Sequence, residues 1–331
     1  MTSVTGQPAI PVISVIVPAY NSAATLGASL DSLLSQTIRD IEIIVVYDKS
    51  KDDTEAVLAR YAEADSRVIP VLNDSPPCNG RLAAALNKGV SLARAPFLAR
   101  MDSDDLALPT RFEDQLNYLM AHPLIDICGT AAIIIDREGR EIAEFHPAED
   151  NKAIRIVIEY APPLFHPTWM MRRKILNVLK GYRDLPYAED YDFLLRAMDA
   201  GFGLGNCHAT GIRYRRDPSH RALTVNHKAA NYVHRMHRRR RRGLPDDFSI
   251  EGFKKATGKP NFPAIEAFGR RLIERGFTLA DKRRPWAPLV IAVGLIFVPA
   301  SAELAWRKFI SKLRFLLHAR SKSNYCTSIR Y

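Results

Sequence analysis

Cysteine is scarce in this chain of 331 residues. The four cysteines, Cys78, Cys128, Cys207 and Cys326, are far apart and form no C-x-x-C pair. We therefore expect reduced thiols in a cytoplasmic protein, with no disulfide framework and no zinc site built from cysteines. The N-terminal stretch MTSVTGQPAIPV has neither a basic segment nor a long apolar run, so we expect no secretory signal there.

Two common nucleotide-binding motifs are also missing. The first strand-like segment runs into VPAYNSAATLG, which lacks the G-x-G-x-x-G glycines of a dinucleotide-binding domain, and the chain has no Walker P-loop. A phosphatase of the haloacid-dehalogenase type would place its acidic motif after the first strand. The acidic motif of this chain follows the fourth.

Apolar strand-like runs alternate with helical segments over residues 12–122. The runs are VISVIVPAY, IEIIVVYD, RVIPVL and APFLARM, and the segments between them have the spacing of helices with one apolar face. This alternation predicts an α/β fold with a mostly parallel, Rossmann-like sheet flanked by helices. Further along, we expect a hairpin around residues 136–139 and a helix over AEDYDFLLRAMDAG that stops at Gly201.

Polar residues follow three of these predicted strands directly. They are the stretch Pro18–Asn21, Asp48, and the cluster Asp102–Asp105. Ligands of open parallel sheets bind outside the carboxyl ends of the strands. We therefore expect these three loops to converge on one ligand.

The cluster ARMDSDDLALP places Asp102, Asp104 and Asp105 within four positions. Their charges repel one another, so something positive must offset the repulsion. Carboxylate oxygens at a strand end suit a hard divalent cation, and the sequence predicts Mg²⁺ or Mn²⁺ with a phosphate compound as its other ligand. The alternative is a solvated acidic turn at the start of the following helix.

Five stretches, in this order, resemble those of a family 2 glycosyltransferase with the glycosyltransferase-A fold. They lie within about residues 12–217 and read SVIVPAYNSAATLGASLDSLLSQT, EIIVVYDKSKDDT, NGRLAAALNKGVSLARAPFLARMDSDDLALPTRFEDQLNYL, HPTWMMRR and YAEDYDFLLRAMDAG. The resemblance implies an inverting, metal-dependent transferase that moves a sugar from a nucleotide diphosphate sugar to an acceptor hydroxyl.

The resemblance also implies roles for individual residues on the donor side. Pro18 and Tyr20 would border the nucleobase, and Asp48 would accept a hydrogen bond from it. Arg81 would lie near the base and the phosphates. Asp102 would contact the ribose or the metal.

Two further roles concern the metal and the proton. Asp104 would be the metal ligand, with Asp102 beside it, and Asp190 would be the catalytic base. The neighbouring carboxyl of Glu189 suits such a base, because repulsion between two adjacent carboxylates raises a carboxyl pKa towards a useful value. The alternative for this pair is an ordinary acidic helix N-terminus.

Basic residues are concentrated in the C-terminal third. Residues 226–331 contain 23 Lys and Arg against 7 Asp and Glu, whereas residues 1–225 contain 24 against 29. We therefore predict a transferase domain over residues 1–225 and a basic helical extension over 226–331. A nucleic-acid partner is not expected, because no helix-turn-helix, finger or aromatic-interleaved surface accompanies the arginine run Arg238–Arg242.

An apolar segment over residues 286–302 lies inside this extension, with basic residues on both sides. This pattern favours contact with the cytoplasmic face of the inner membrane, which would suit a lipid-linked or saccharide acceptor in envelope or exopolysaccharide synthesis. The alternative is a buried pair of helices with a solvated basic face. Two other functions stay open at this point: a metal-dependent nucleotidyltransferase or phosphatase, and a non-catalytic protein that binds membranes or nucleic acid.

Overall fold

The computed structural model describes residues 10–74, 81–216 and 227–258. Contacts divide the chain into two units, one of residues 1–154 and 162–223 and one of residues 155–161 and 224–331. The predicted boundary between residues 225 and 226 stays a prediction.

Nine strands are present in the described part of the first unit: β1 (Ile13–Ala19), β2 (Ile41–Tyr47), β3 (Val68–Leu72), β4 (Phe97–Arg100), β5 (Leu106–Ala107), β6 (Ile127–Ile135), β7 (Glu141–Phe145), β8 (Met170–Arg172) and β9 (Leu204–Arg215). They form one sheet in the order β3-β2-β1-β4-β8-β6-β9-β5, with β7 paired to β6. The first four strands are parallel to one another, and β8 joins them antiparallel to β4.

The helices of the described residues are α1 (Leu26–Leu34), α2 (Thr54–Ala64), α3 (Arg81–Leu92), α4 (Arg111–Ala121), α5 (Asn151–Val157), α6 (Lys174–Leu179), α7 (Glu189–Asp199), α8 (His227–Arg241) and α9 (Ile250–Thr257). A short 3-10 turn covers His166–Thr168. The predicted α/β class, with a Rossmann-like sheet flanked by helices, is confirmed.

Buried residues cover both faces of β1. Val15 and Val17 pack in one cluster with Leu30 of α1. On the other face Ile16 meets α3 at Gly89, where a Cβ atom would lie 2.6 Å from the Ile16 side chain. Glycine at this position therefore allows α3 to approach the sheet closely.

Two smaller expectations about the secondary structure are also confirmed. β6 and β7 form the expected antiparallel hairpin, and α7 ends before Gly201, which has a φ of +87°. Cys128 and Cys207 are buried free thiols. The other two cysteines lie outside the described residues.

No helix within the described ranges has the length and apolar character needed to cross a membrane. The apolar segment 286–302, on which the membrane prediction rests, lies outside those ranges.

Asn87 of α3 fixes the loop that leads towards α7. Its side-chain amide donates to the carbonyl of Tyr182 at 2.8 Å, and its side-chain oxygen accepts from the Tyr182 amide at 2.8 Å. One side chain thus satisfies two backbone groups of a distant loop.

We expect Asn87→Ala to lower the free energy of unfolding by about 1–3 kcal/mol, because it leaves both backbone groups without their partner. Urea denaturation measures the change. Lys88→Ala is the control, since it removes only an exposed ion pair with Asp74 and should cost less than about 1 kcal/mol. Equal losses in the two variants would contradict the bridging role.

Candidate active site

The carboxyl ends of β1, β2 and β4 meet at one edge of the sheet. Ala19 at the end of β1 lies opposite Tyr47 at the end of β2, and the amide of Asp48 donates to the carbonyl of Ala19 at 3.0 Å. Met101, just after β4, donates to the carbonyl of Ile16 at 3.2 Å. The expected convergence of the three loops is therefore present.

Asp48 is held in place at this edge. The side-chain amide of Asn73 donates to Asp48 Oδ1 at 3.0 Å. Tyr20, the residue directly after β1, is exposed. Pro18 is half-buried within the strand. The side chain of Arg81, at the first position of α3, lies outside the described residues.

The three aspartates of the acidic cluster have different surroundings. Asp102 Oδ1 accepts from Arg100 Nη2 at 2.5 Å. Asp105 is fully buried and accepts from the backbone amide of Arg215 at 2.9 Å, whereas Asp104 is exposed. One oxygen of each carboxyl lies within 4.8 Å of the others.

These surroundings raise the pKa of two of the three carboxyls. Burial and the charges of Asp102 and Asp104 raise the pKa of Asp105 well above its ordinary value. The pKa of Asp104 is also raised, by loss of hydration and by the charge of Asp102. Carboxyl groups with raised pKa values gain most from a nearby cation, so this donor set suits Mg²⁺ or Mn²⁺.

Arg100 is the positive group that the protein itself supplies. Its side chain is 4% exposed, and within the described part of the chain its Nε and Nη1 atoms are buried without a hydrogen-bond partner. Burial works against its charge, but the neighbouring carboxylates, led by Asp102, outweigh burial and raise its pKa. Arg100 therefore provides a positive charge at the acidic cluster.

Glu189 and Asp190 begin α7 after Ala188, whose φ is +62°. Burial, and next the charge of Asp190, raise the pKa of Glu189 to about 7. Burial also raises the pKa of Asp190, while a 2.7 Å hydrogen bond from the amide of Tyr191 and the charge of Arg100 oppose that rise. Repulsion by Asp190 therefore raises the pKa of Glu189, as expected, and adds to a larger effect of burial.

Comparison with known proteins decides the family. The sequence profile described as glycosyl transferase family 2 matches residues 14–180. The chain belongs to this family. It is 33% identical to a protein named as a glycosyltransferase, EpsE of Bacillus subtilis, over 242 residues that make up 71% of this chain and 85% of EpsE.

Other relatives of this glycosyltransferase carry more specific names. It is 33% identical to the amylovoran biosynthesis glycosyltransferase AmsE of Erwinia amylovora, over 58% of this chain and 72% of AmsE. It is 31% identical to the O-antigen biosynthesis glycosyltransferase WbnJ of Escherichia coli, over 57% of this chain and 73% of WbnJ. The family supports the transferase interpretation over the nucleotidyltransferase, phosphatase and non-catalytic alternatives.

Solved structures confirm the glycosyltransferase-A-like fold. Residues 1–349 of TarS from S. aureus, solved with UDP-GlcNAc, match with a TM-score of 0.56 and 18% identity, over 95% of this chain and 93% of that one. The mannosyltransferase PcManGT of Pyrobaculum calidifontis, solved with GDP-Man and Mn²⁺, matches with a TM-score of 0.52 and 19% identity. The match covers 92% of this chain and 81% of PcManGT.

The sequence analysis of the glycosyltransferase missed two positioning groups. One is Arg100, whose only signal was a charged residue at the end of an apolar strand. The other is Asp192, fully buried in α7, which accepts from Arg196 Nε at 2.7 Å and from Arg183 Nη1 at 3.3 Å. Arg196 also donates to the carbonyls of Leu179 and Gly181, so this network fixes α7 and the acidic pair at its start.

His166 lies beside the site as a neutral group. Its Nε2 atom is 3.1 Å from the hydroxyl of Tyr182, and its ring packs 4.4 Å from that of Trp169. Burial, together with the charge of Arg100, lowers the pKa of His166 well below its ordinary value. A neutral imidazole can share a proton with Tyr182 without adding positive charge.

We expect the raised pKa of Glu189 to make metal-free protein less stable as the pH rises. Folded Glu189 keeps its proton up to about pH 7, whereas the unfolded group loses it near 4.5, so stability falls between these values. The loss should be on the order of 1–3 kcal/mol. Urea denaturation with EDTA at pH 5 and pH 7.5 measures it.

Glu189→Gln should remove most of this pH dependence, because the amide does not titrate. Glu55→Gln, which alters an exposed carboxyl of α2, is the control and should keep the wild-type slope. If Glu189→Gln also keeps the wild-type slope, Glu189 does not hold the proton.

Proposed function

We propose that this enzyme transfers a sugar, with inversion, from a nucleotide diphosphate sugar to an acceptor hydroxyl in cell-envelope or exopolysaccharide synthesis. One observation carries the proposal: parallel pairing of β1 with β2 and with β4 brings Asp48 and the acidic cluster, whose carboxyl oxygens lie within 4.8 Å of one another, to one edge of the sheet. The sugar nucleotides in the TarS and PcManGT structures and the polysaccharide names of AmsE and WbnJ support it.

Asp104 and Asp102 would hold Mg²⁺ or Mn²⁺ in this proposal. A bound divalent cation would neutralise charge on the departing diphosphate as a Lewis acid. Arg100 cannot do this alone, because its Nη2 atom already donates to Asp102. The fit rests on the close oxygens of the acidic cluster and on their raised pKa values.

The nucleobase would lie over the edge formed by Pro18, Tyr20 and Asp48. The hydrogen bond from Asn73 orients the Asp48 carboxylate. A carboxylate accepts several hydrogen bonds, so Asp48 can also accept one from the base. Arg81 stays a predicted contact to the base and phosphates.

Asp190 would accept the proton of the attacking hydroxyl. The bond from the Tyr191 amide orients its carboxyl, and its raised pKa makes it a stronger base than an exposed aspartate. Glu189 remains protonated to about pH 7, so the pair carries one proton near neutrality and Asp190 can stay ionised. Attack by a hydroxyl from the face opposite the departing diphosphate gives inversion.

Asp104→Ala should abolish the stabilisation that a nucleotide sugar with Mn²⁺ gives to the wild-type enzyme, because a ligand that binds the native state raises its melting temperature. A thermal-shift panel of UDP- and GDP-sugars, with and without Mn²⁺, measures this. Glu55→Ala is the control. An unchanged Mn²⁺-dependent shift in folded Asp104→Ala would contradict the metal assignment.

Asp190→Asn should keep donor binding and lose transfer by about 10²–10⁴-fold, since the nearly isosteric amide cannot accept the proton. Release of nucleoside diphosphate with an acceptor sugar present measures turnover, and calorimetry measures donor binding. Glu189→Gln is the comparison and should keep more activity. Near-wild-type turnover in Asp190→Asn would show that another residue is the base.

We further propose that the acceptor is saccharide or lipid-linked and that the extension over residues 226–331 contacts the cytoplasmic face of the membrane. The support is its excess of basic residues and the flanked apolar segment 286–302.

The full-length protein should float with anionic vesicles and less with neutral ones, and some binding should survive high salt because apolar burial is not screened. Vesicle flotation at low and high salt tests this. Failure to float with anionic vesicles at low salt would contradict membrane contact.

A further inference from the structure

The second unit contains a group of metal-ligand side chains that the transferase site does not use. The group consists of Glu159, His234 and His237, with one ligand atom of each within 4.8 Å of the others. Glu159 lies just after α5, and the two histidines lie on α8. All three belong to the unit formed by residues 155–161 and 224–331.

Helix geometry places the two imidazoles on the same side. His234 and His237 are three residues apart, a spacing at which helical side chains are neighbours. Their ring centres are 5.5 Å apart, and the two residues are 2% and 1% exposed. Two buried histidines at this spacing, with a carboxylate facing them, form a donor set of the kind that Zn²⁺ binds.

The distances also suit one ion between the three groups. His234 Nε2 is 3.1 Å from Glu159 Oε2. Tetrahedral Zn²⁺, with bonds of about 2.0–2.2 Å, places neighbouring ligand atoms about 3.4 Å apart. The three ligand atoms now lie within 4.8 Å of one another. Small side-chain rotations would bring them to the spacing of a tetrahedral site.

The two carboxylate oxygens of Glu159 have different neighbours. Arg241 Nη1 lies 3.6 Å from Oε1, the oxygen that does not face His234. The ion would therefore meet the oxygen of Glu159 that faces His234 Nε2.

We propose that Glu159, His234 and His237 bind a divalent transition-metal ion, with Zn²⁺ the best fit, and that water completes the coordination. The ion would tie residues 155–161 to α8 within the second unit. Nitrogen ligands distinguish this site from the all-oxygen cluster of Asp102, Asp104 and Asp105, which suits Mg²⁺ or Mn²⁺.

Co²⁺ is the probe, because its visible absorption reports nitrogen ligands and low coordination number. The full-length protein carries Asp104→Ala, so that the acidic cluster contributes little, and is stripped with EDTA and titrated with Co²⁺. We expect one equivalent to give intense visible bands, and one equivalent of Zn²⁺ to abolish them.

His237→Gln in the same background should weaken Co²⁺ binding by at least about 100-fold, the upper end of the loss caused by removing even an outer-shell partner. It leaves the contact between His234 and Glu159 in place. The matched control is His146→Gln, which removes an exposed histidine 2.9 Å from Glu144 and should bind Co²⁺ like its parent.

A second measurement needs no variant at the site. Zn²⁺ added to the EDTA-stripped Asp104→Ala protein should raise its melting temperature, and EDTA should reverse the rise. Absence of both the cobalt bands and this shift, or equal Co²⁺ affinity in folded His237→Gln, would overturn the proposal and leave a histidine–glutamate ion pair only. None of these results bears on sugar transfer, which uses residues of the other unit.

Discussion

The buried charge of Arg100 is the constraint on which the active site depends. The guanidinium of a residue that is only 4% exposed is costly to remove from water, and it is tolerated here because it pairs with Asp102. Asp102 binds it directly through Arg100 Nη2. The charge of Arg100 also opposes the rise in the pKa values of Glu189 and Asp190. One side chain therefore acts on both the metal-binding and the proton-accepting groups.

The fold explains why these groups meet. Parallel pairing of β1 with β2 and with β4 brings the carboxyl ends of three strands to one edge, which places Tyr20, Asp48 and the acidic cluster there. Asn87 and the Asp192 network then fix the loops around α7, which begins with Glu189 and Asp190. Arg100 alone cannot neutralise all the carboxylates of this edge. In the proposed function, a divalent cation bound with the diphosphate supplies the remaining positive charge.

Part of this arrangement could be predicted from the sequence. The β-branched runs and the helices between them predicted the parallel strands, and the position of Asp48 and Asp102–Asp105 after strands predicted their common edge. The insertion of β8 beside β4 was not predicted, because three residues carry no reliable periodicity. The contact of Arg100 with Asp102 depends on side-chain direction and burial, which the sequence does not state. For the same reason the sequence analysis predicted the repulsion within the Glu189–Asp190 pair but not the larger effect of burial.

The pH dependence of transfer in Arg100 variants tests the central claim most directly. If Arg100 stabilises the ionised base, Arg100→Gln should move the acidic limb of the kcat profile to higher pH by about one unit, because a neutral amide no longer lowers the pKa of Asp190. Arg100→Lys, which can keep a positive charge, should shift the limb less. An unchanged acidic limb in folded, donor-binding Arg100→Gln would contradict the claim that this buried charge sets the strength of the catalytic base.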